Sequence, residues 1–172
     1  MSQEIYRIRS AIIVPLIIAV SSLFVLLLLS FLFKSLPGET FALSAVFLLA
    51  LYLLLEVFSR RVTLKSVGVL EIRKFLRKKE LAWEEITQVG CVVMGKKIYA
   101  LLTTTRGFYI LSNSYERFSD LLGGLSRNLS EERVEKEIHD LIEHPLQNNK
   151  PVRLAWFTVI IVIAVVILRF FI

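Results

Sequence analysis

The sequence predicts a membrane protein of α+β class: a transmembrane helical hairpin, a small β-barrel or sandwich closed by C-terminal helices, and a third transmembrane helix. Two observations carry this. Residues 10–33, 41–55 and 154–168 contain no charged side chain. Between the second and third of these runs lie roughly ninety residues of mixed polarity, the size of one small domain. The 172 residues are 55% hydrophobic, above the usual share for a soluble domain, and the three runs account for the excess.

Taken in order, residues 1–9 form an N-terminal flank in which Arg7 and Arg9 precede the first run. A helix of about 20 apolar residues crosses a bilayer core, so 10–33 is the first span. It is too long for the apolar region of a secretory signal, and bulky Phe31, Leu32 and Phe33 replace a small-residue cleavage site. Pro37-Gly38 breaks the chain, which makes 34–39 a short external turn. The second span is 40–58, with Glu56 at its end and within reach of Arg60 one turn later. The third is 152–172, where Arg153 and Arg169 flank fifteen uncharged residues. Arg7, Arg9, Arg60, Arg61, Lys65, Lys150 and Arg153 all lie on one side of this scheme; on the other are Arg169 and the short turn, whose Lys34 is balanced by Glu39. The positive-inside bias therefore puts the N-terminus and the central domain in the cytoplasm and the C-terminus outside.

The central domain, 61–147, begins as short strands. Val62–Lys65 alternates, with Ser66-Val67-Gly68 as a turn, and 69–75 follows. Leu76-Arg77-Lys78-Lys79 reads as a solvated hairpin tip, then 80–83, 86–94, 98–104 and 108–111 read as strands. The period then changes. Tyr115, Phe118, Leu121, Leu122 and Leu125 form one helical stripe, and Val134, Ile138, Leu141 and Ile142 a second. Ser130 ahead of Glu131 and Glu132 predicts a capped helix start, giving a helix over 131–143. The lone Cys91 sits in an apolar run and reads as a small core residue.

The segment Leu81-Ala82-Trp83-Glu84-Glu85-Ile86-Thr87-Gln88-Val89, after a strand pair with Gly68 at its turn, resembles the W-x-x-I-x-x-V stretch of bacterial pleckstrin-homology-like (PH-like) domains. Thr104–Leu111, with Gly107, is similar to a later strand of that family. The resemblance covers about residues 62–125. It implies a barrel closed by one helix, used as a binding scaffold in the bacterial inner membrane, with no catalytic residues to transfer. The helix over 131–143 lies beyond that closing helix.

Nothing in the sequence assembles a reaction. His139 and His144 are five apart, off the i, i+4 spacing of a shared face, and Glu135, His139 and Glu143 share a face as any acidic helix would. No phosphate loop or nucleophile elbow is present, so no catalytic residue, cofactor or metal is expected. Charge is uneven instead. Residues 60–106 carry eleven Lys or Arg against four acids, and 130–143 carry six acids against two bases. Arg73, Lys74, Arg77, Lys78 and Lys79 are the candidate surface for anionic lipid or a partner, against the plainer reading of a soluble hairpin tip. Phe75 and Trp83, the aromatics nearby, suit a core rather than nucleic-acid stacking. The expected function is a non-enzymatic adaptor or accessory scaffold that engages a membrane protein partner or itself. The alternatives are a sensor of anionic lipid acting through 73–79, or an accessory subunit of a membrane enzyme or transporter.

Overall fold

The computed structural model describes residues 3–33, 36–65, 68–145 and 148–171. The strands are β1 (Glu4–Arg7), β2 (Arg61–Lys65), β3 (Val69–Arg73), β4 (Lys78–Ala82), β5 (Ile86–Met94), β6 (Lys97–Thr104) and β7 (Gly107–Ser112). The helices are α1 (Ser10–Leu32), α2 (Pro37–Ser59), α3 (Phe118–Asn128), α4 (Lys136–Glu143) and α5 (Lys150–Phe171). The class is α+β, with two antiparallel sheets. Two units result: α1, α2 and α5 form one, and the strands with α3 and α4 form the other.

In the helical unit, α1, α2 and α5 are each long and apolar enough to cross a membrane, with mean hydropathy 3.0, 2.4 and 2.5. A 23-residue helix rises about 34 Å, against about 30 Å of hydrocarbon core. Pro37 opens α2, the helix position where its missing N–H costs nothing. Lys34 and Ser35 of the expected turn lie outside the described residues. α1 packs against both neighbours and buries Pro15, Ala19, Leu26 and Ser30 along one stripe. The Ser30 and Thr40 hydroxyls meet at 3.0 Å. Arg169, a base that runs against the charge bias, is bound by Glu39 at 3.1 Å.

The second unit starts with a strand that sequence reasoning missed. Residues 1–9 were expected to be a flank, but Glu4–Arg7 pairs with β2 as the outer strand of a sheet ordered β1-β2-β3-β4. Four residues are too few to display a period, although the alternation is there: Tyr6 and Ile8 are buried and Ile5 is exposed. The second sheet is β5-β6-β7. Inward residues of the two sheets, among them Val62, Leu70, Ile72, Ile86, Val89, Ala100 and Leu102, form the core with Leu121, Leu122 and Leu125 of α3. The chain after β7 turns back to β1: Glu116 N–H donates to the Arg7 carbonyl at 2.7 Å, and Arg9 N–H to Ser114 at 3.0 Å. Tyr115, expected within the helical stripe, is instead buried in this connection ahead of α3.

The helix expected over 131–143 is interrupted. Glu131–Arg133 makes a 3-10 turn without a side-chain cap from Ser130, and α4 begins only at Lys136. The cause is tertiary. Val134 bridges Val89 on the outer edge of β5, and Glu135 N–H donates to the Val89 carbonyl at 3.0 Å. The Glu135 carboxylate then accepts from Cys91 N–H at 3.2 Å and from the Gln88 amide at 3.0 Å. Gly90 makes room for this: a Cβ there would lie 2.6–2.8 Å from the carboxylate. Gly90→Ala is expected to displace Glu135, strand the Cys91 N–H and cost about 1–3 kcal/mol. Thermal unfolding and faster amide exchange over 134–143 measure it; unchanged exchange there refutes the role given to Gly90.

Candidate functional site

The register of the first sheet sets four cations side by side. Arg7 lies opposite Arg61, Arg61 opposite Arg73, and Arg73 opposite Lys78. At about 4.8 Å between strands the row is about 15 Å long. Like charges directly opposite one another destabilise a sheet, so the row is a cost to the isolated fold. It also sits at one defined end of the sheet: Arg7 is three residues before α1 begins, and Arg61 two after α2 ends.

Past the row, β3 turns into β4 through a two-residue loop. Lys74 N–H donates to the Arg77 carbonyl at 2.8 Å and Arg77 N–H to the Lys74 carbonyl at 3.4 Å, leaving Phe75 and Leu76 as the tip. Such loops ordinarily use Gly, Asn or Asp. Here Leu76 is 80% exposed, and Phe75 is half-buried at the turn rather than in the core where sequence reasoning put it. Trp83, by contrast, is buried.

One row further along the sheet the charge inverts. Thr63, Glu71 and Glu80 lie opposite one another, and Glu71 is only 7% exposed. Lys65 reaches Glu71 at 2.7 Å and Glu80 at 3.0 Å, and Lys78 reaches Glu80 at 3.0 Å and Glu71 at 3.6 Å. Hydrogen bonds from Lys65 hold the Glu71 and Glu80 carboxyls below their ordinary range, and those same bonds raise Lys65. Because the Glu71 pKa is depressed in the folded state, its stabilisation is in place above the ordinary carboxylate value, about 4.3, and is lost as pH falls below it. Acid titration of unfolding should show a loss below that pH that Glu71→Gln reduces; an unchanged profile in the variant would contradict the pairing.

Of the five basic residues singled out by sequence, Arg73 stands in the cationic row and Lys74 and Arg77 bracket the tip. Lys78 is in the row but leans onto Glu71 and Glu80. Lys79 is exposed on the other face of β4, opposite Ile72. Since β4 is an outer strand, its lysines also discourage edge-to-edge pairing. Sequence reasoning missed Arg7 and Arg61 as site residues. In the sequence both belong to the charge bias alone, and only the register joins them to Arg73. Arg7, Arg61 and Arg73 make no ion pair among the described residues.

No protein-family model, no curated protein and no solved structure matches the chain. Burial raises the Cys91 thiol, with Glu135 and Glu137 adding to the effect, which keeps it protonated and unreactive near neutral pH. No three metal-ligating side chains converge among the described residues. A polar cavity of about 550 Å³ lies between β1, α3 and α4. Its charges are matched within it, Arg127 with Glu4 at 3.5 Å and Arg117 with Asp120 at 4.0 Å. Tyr6 donates to Glu4 there at 2.7 Å, and burial first, then that bond, raises its phenol. The arginine row, without an ion pair among the described residues, and the exposed Leu76 beyond it are the features that call for a partner.

Proposed function

We propose that this is a multi-pass protein of the bacterial inner membrane whose cytoplasmic PH-like domain docks, without catalysis, on the anionic surface of the bilayer that anchors it. The observation that carries this reading is the row of Arg7, Arg61 and Arg73, continued by the acid-bound Lys78, at the end of the sheet that the chain leaves for α1 and re-enters from α2. A row that costs stability in isolation becomes favourable against anionic headgroups, at about 1 kcal/mol per basic residue near such a surface. In this reading the helical hairpin, inserted between the paired strands β1 and β2, leaves and returns on one side of the bilayer, and α5 carries the C-terminus across. The positive-inside bias makes the side of the sheets the cytoplasmic one.

What supports the PH-like reading is the order of parts. Four antiparallel strands are followed by three, then by α3, and Trp83, Ile86 and Val89 of the W-x-x-I-x-x-V stretch are all buried. In this reading the helical hairpin is an insertion between the first two strands.

The test uses the full chain in nanodiscs. Amide exchange over 61–79 should slow in anionic phosphatidylglycerol relative to zwitterionic phosphatidylcholine, and the difference should disappear in high salt. Equal exchange in both lipids would sink the reading. A second reading, the adaptor or accessory subunit, is favoured by the outer face of β5-β6-β7. Val92, Met94, Phe108 and Ile110 there are exposed and apolar. In-membrane crosslinking that captures one stoichiometric neighbour through this face, and loses it in Phe108→Ser, would favour that reading.

A further inference from the structure

We infer that the β3–β4 turn is a wedge: Leu76, with Phe75 behind it, enters the acyl region, so docking depends on loose lipid packing as well as on anionic charge. This rests on the lipid-docking reading and adds to it a second property of the bilayer. Headgroup attraction alone needs only the cations. It does not explain why the two residues at the tip of a tight hairpin are phenylalanine and leucine, with Leu76 left 80% exposed. Exposed in water, that side chain gains nothing; placed among acyl chains it is stabilised as in a protein core. The surrounding charges suit the interface: Arg73, Lys74, Arg77 and Lys79 are all exposed, and long basic side chains can hold phosphates while an apolar tip goes deeper. Continuity argues the same way. The tip extends from the cationic row, beyond Arg73 and Lys78, at the sheet end from which the chain passes into α1 and α2.

Such a tip finds room only where headgroups part, as in bilayers of unsaturated lipid. The domain would then report two conditions together, negative charge and packing defects.

The experiment places a diazirine analogue of leucine at position 76 of the full chain in anionic dioleoyl nanodiscs. Photolysis should yield adducts on acyl chains, and these should fall several-fold when cholesterol tightens the same bilayer at constant anionic fraction. Adducts confined to headgroups, or insensitivity to packing, would overturn the wedge. In parallel, Leu76→Ser should lower the docked population on the order of tenfold in loosely packed anionic bilayers. It should also abolish the packing dependence while leaving the salt dependence. If packing dependence survives Leu76→Ser, the wedge is wrong even though charge-driven docking stands. If wild type shows no salt-sensitive protection in anionic lipid, the docking reading fails first.

Discussion

Replacing Arg7, Arg61 and Arg73 together by glutamine is expected to weaken docking on anionic bilayers about a hundredfold, and to stabilise the protein in neutral detergent. The first effect follows from about 1 kcal/mol for each basic side chain at an anionic surface, with tenfold corresponding to about 1.4 kcal/mol. The second follows from the register. Arg61 faces Arg7 on one side and Arg73 on the other, and each like-charge pair costs about 0.2–1 kcal/mol that the variant recovers. Opposite signs in the two media distinguish a functional charge row from an accidental one. Lys78→Gln is the control. Its ammonium is held by Glu80 and Glu71, so its loss should lower stability and change docking far less than the triple substitution. Amide exchange of 61–79 in nanodiscs reads docking, and thermal unfolding in detergent reads stability. A triple variant that docks like wild type would remove the arginine row from the mechanism.

Tyr6→Ala is expected to cost about 3–5 kcal/mol, the range for deleting a buried aromatic ring, although the residue lies in what the sequence presents as an N-terminal flank. Tyr6 is 3% exposed, its hydroxyl is bonded to Glu4, and the Arg117 guanidinium lies 5.7 Å from its ring centroid. Tyr6→Phe keeps the ring and loses one hydrogen bond, so about 1 kcal/mol is expected. The loss in Tyr6→Ala should appear as faster exchange across β2, whose Val62 and Leu64 pack on the same inward face. If Tyr6→Ala unfolds no more easily than Tyr6→Phe, β1 is not part of the domain's stability. The same logic predicts that a fragment starting after the helical hairpin lacks a strand. A soluble version of the domain has to carry residues 3–9 as well as 60–148.

Much of this architecture was legible in the residues. The three uncharged runs became α1, α2 and α5, with ends shifted by a few residues, and most strands of the central domain fell where alternation and glycines placed them. Arg73, Lys74 and Arg77 stood out because they are adjacent in sequence. Arg7 and Arg61 did not, because a whole helical hairpin separates them along the chain and only strand pairing brings them together. The helix over 131–143 was misread for a related reason. Ser130, Glu131 and Glu132 are a good local start signal, yet the edge of β5 takes Val134 and Glu135 for its own hydrogen bonds and delays α4 to Lys136.

Hydropathy and charge act residue by residue against solvent and lipid, so the sequence by itself determined the three long apolar helices, the charge asymmetry of their flanks and the strand-rich character of the domain. Register is different: it is a free-energy balance between segments far apart in the chain, in which burying Tyr6, Val62 and Ile72 on one face forces Arg7, Arg61 and Arg73 together on the other. That juxtaposition, the apolar tip beyond it, and the seat of Glu135 against Gly90 were decided by the tertiary structure alone.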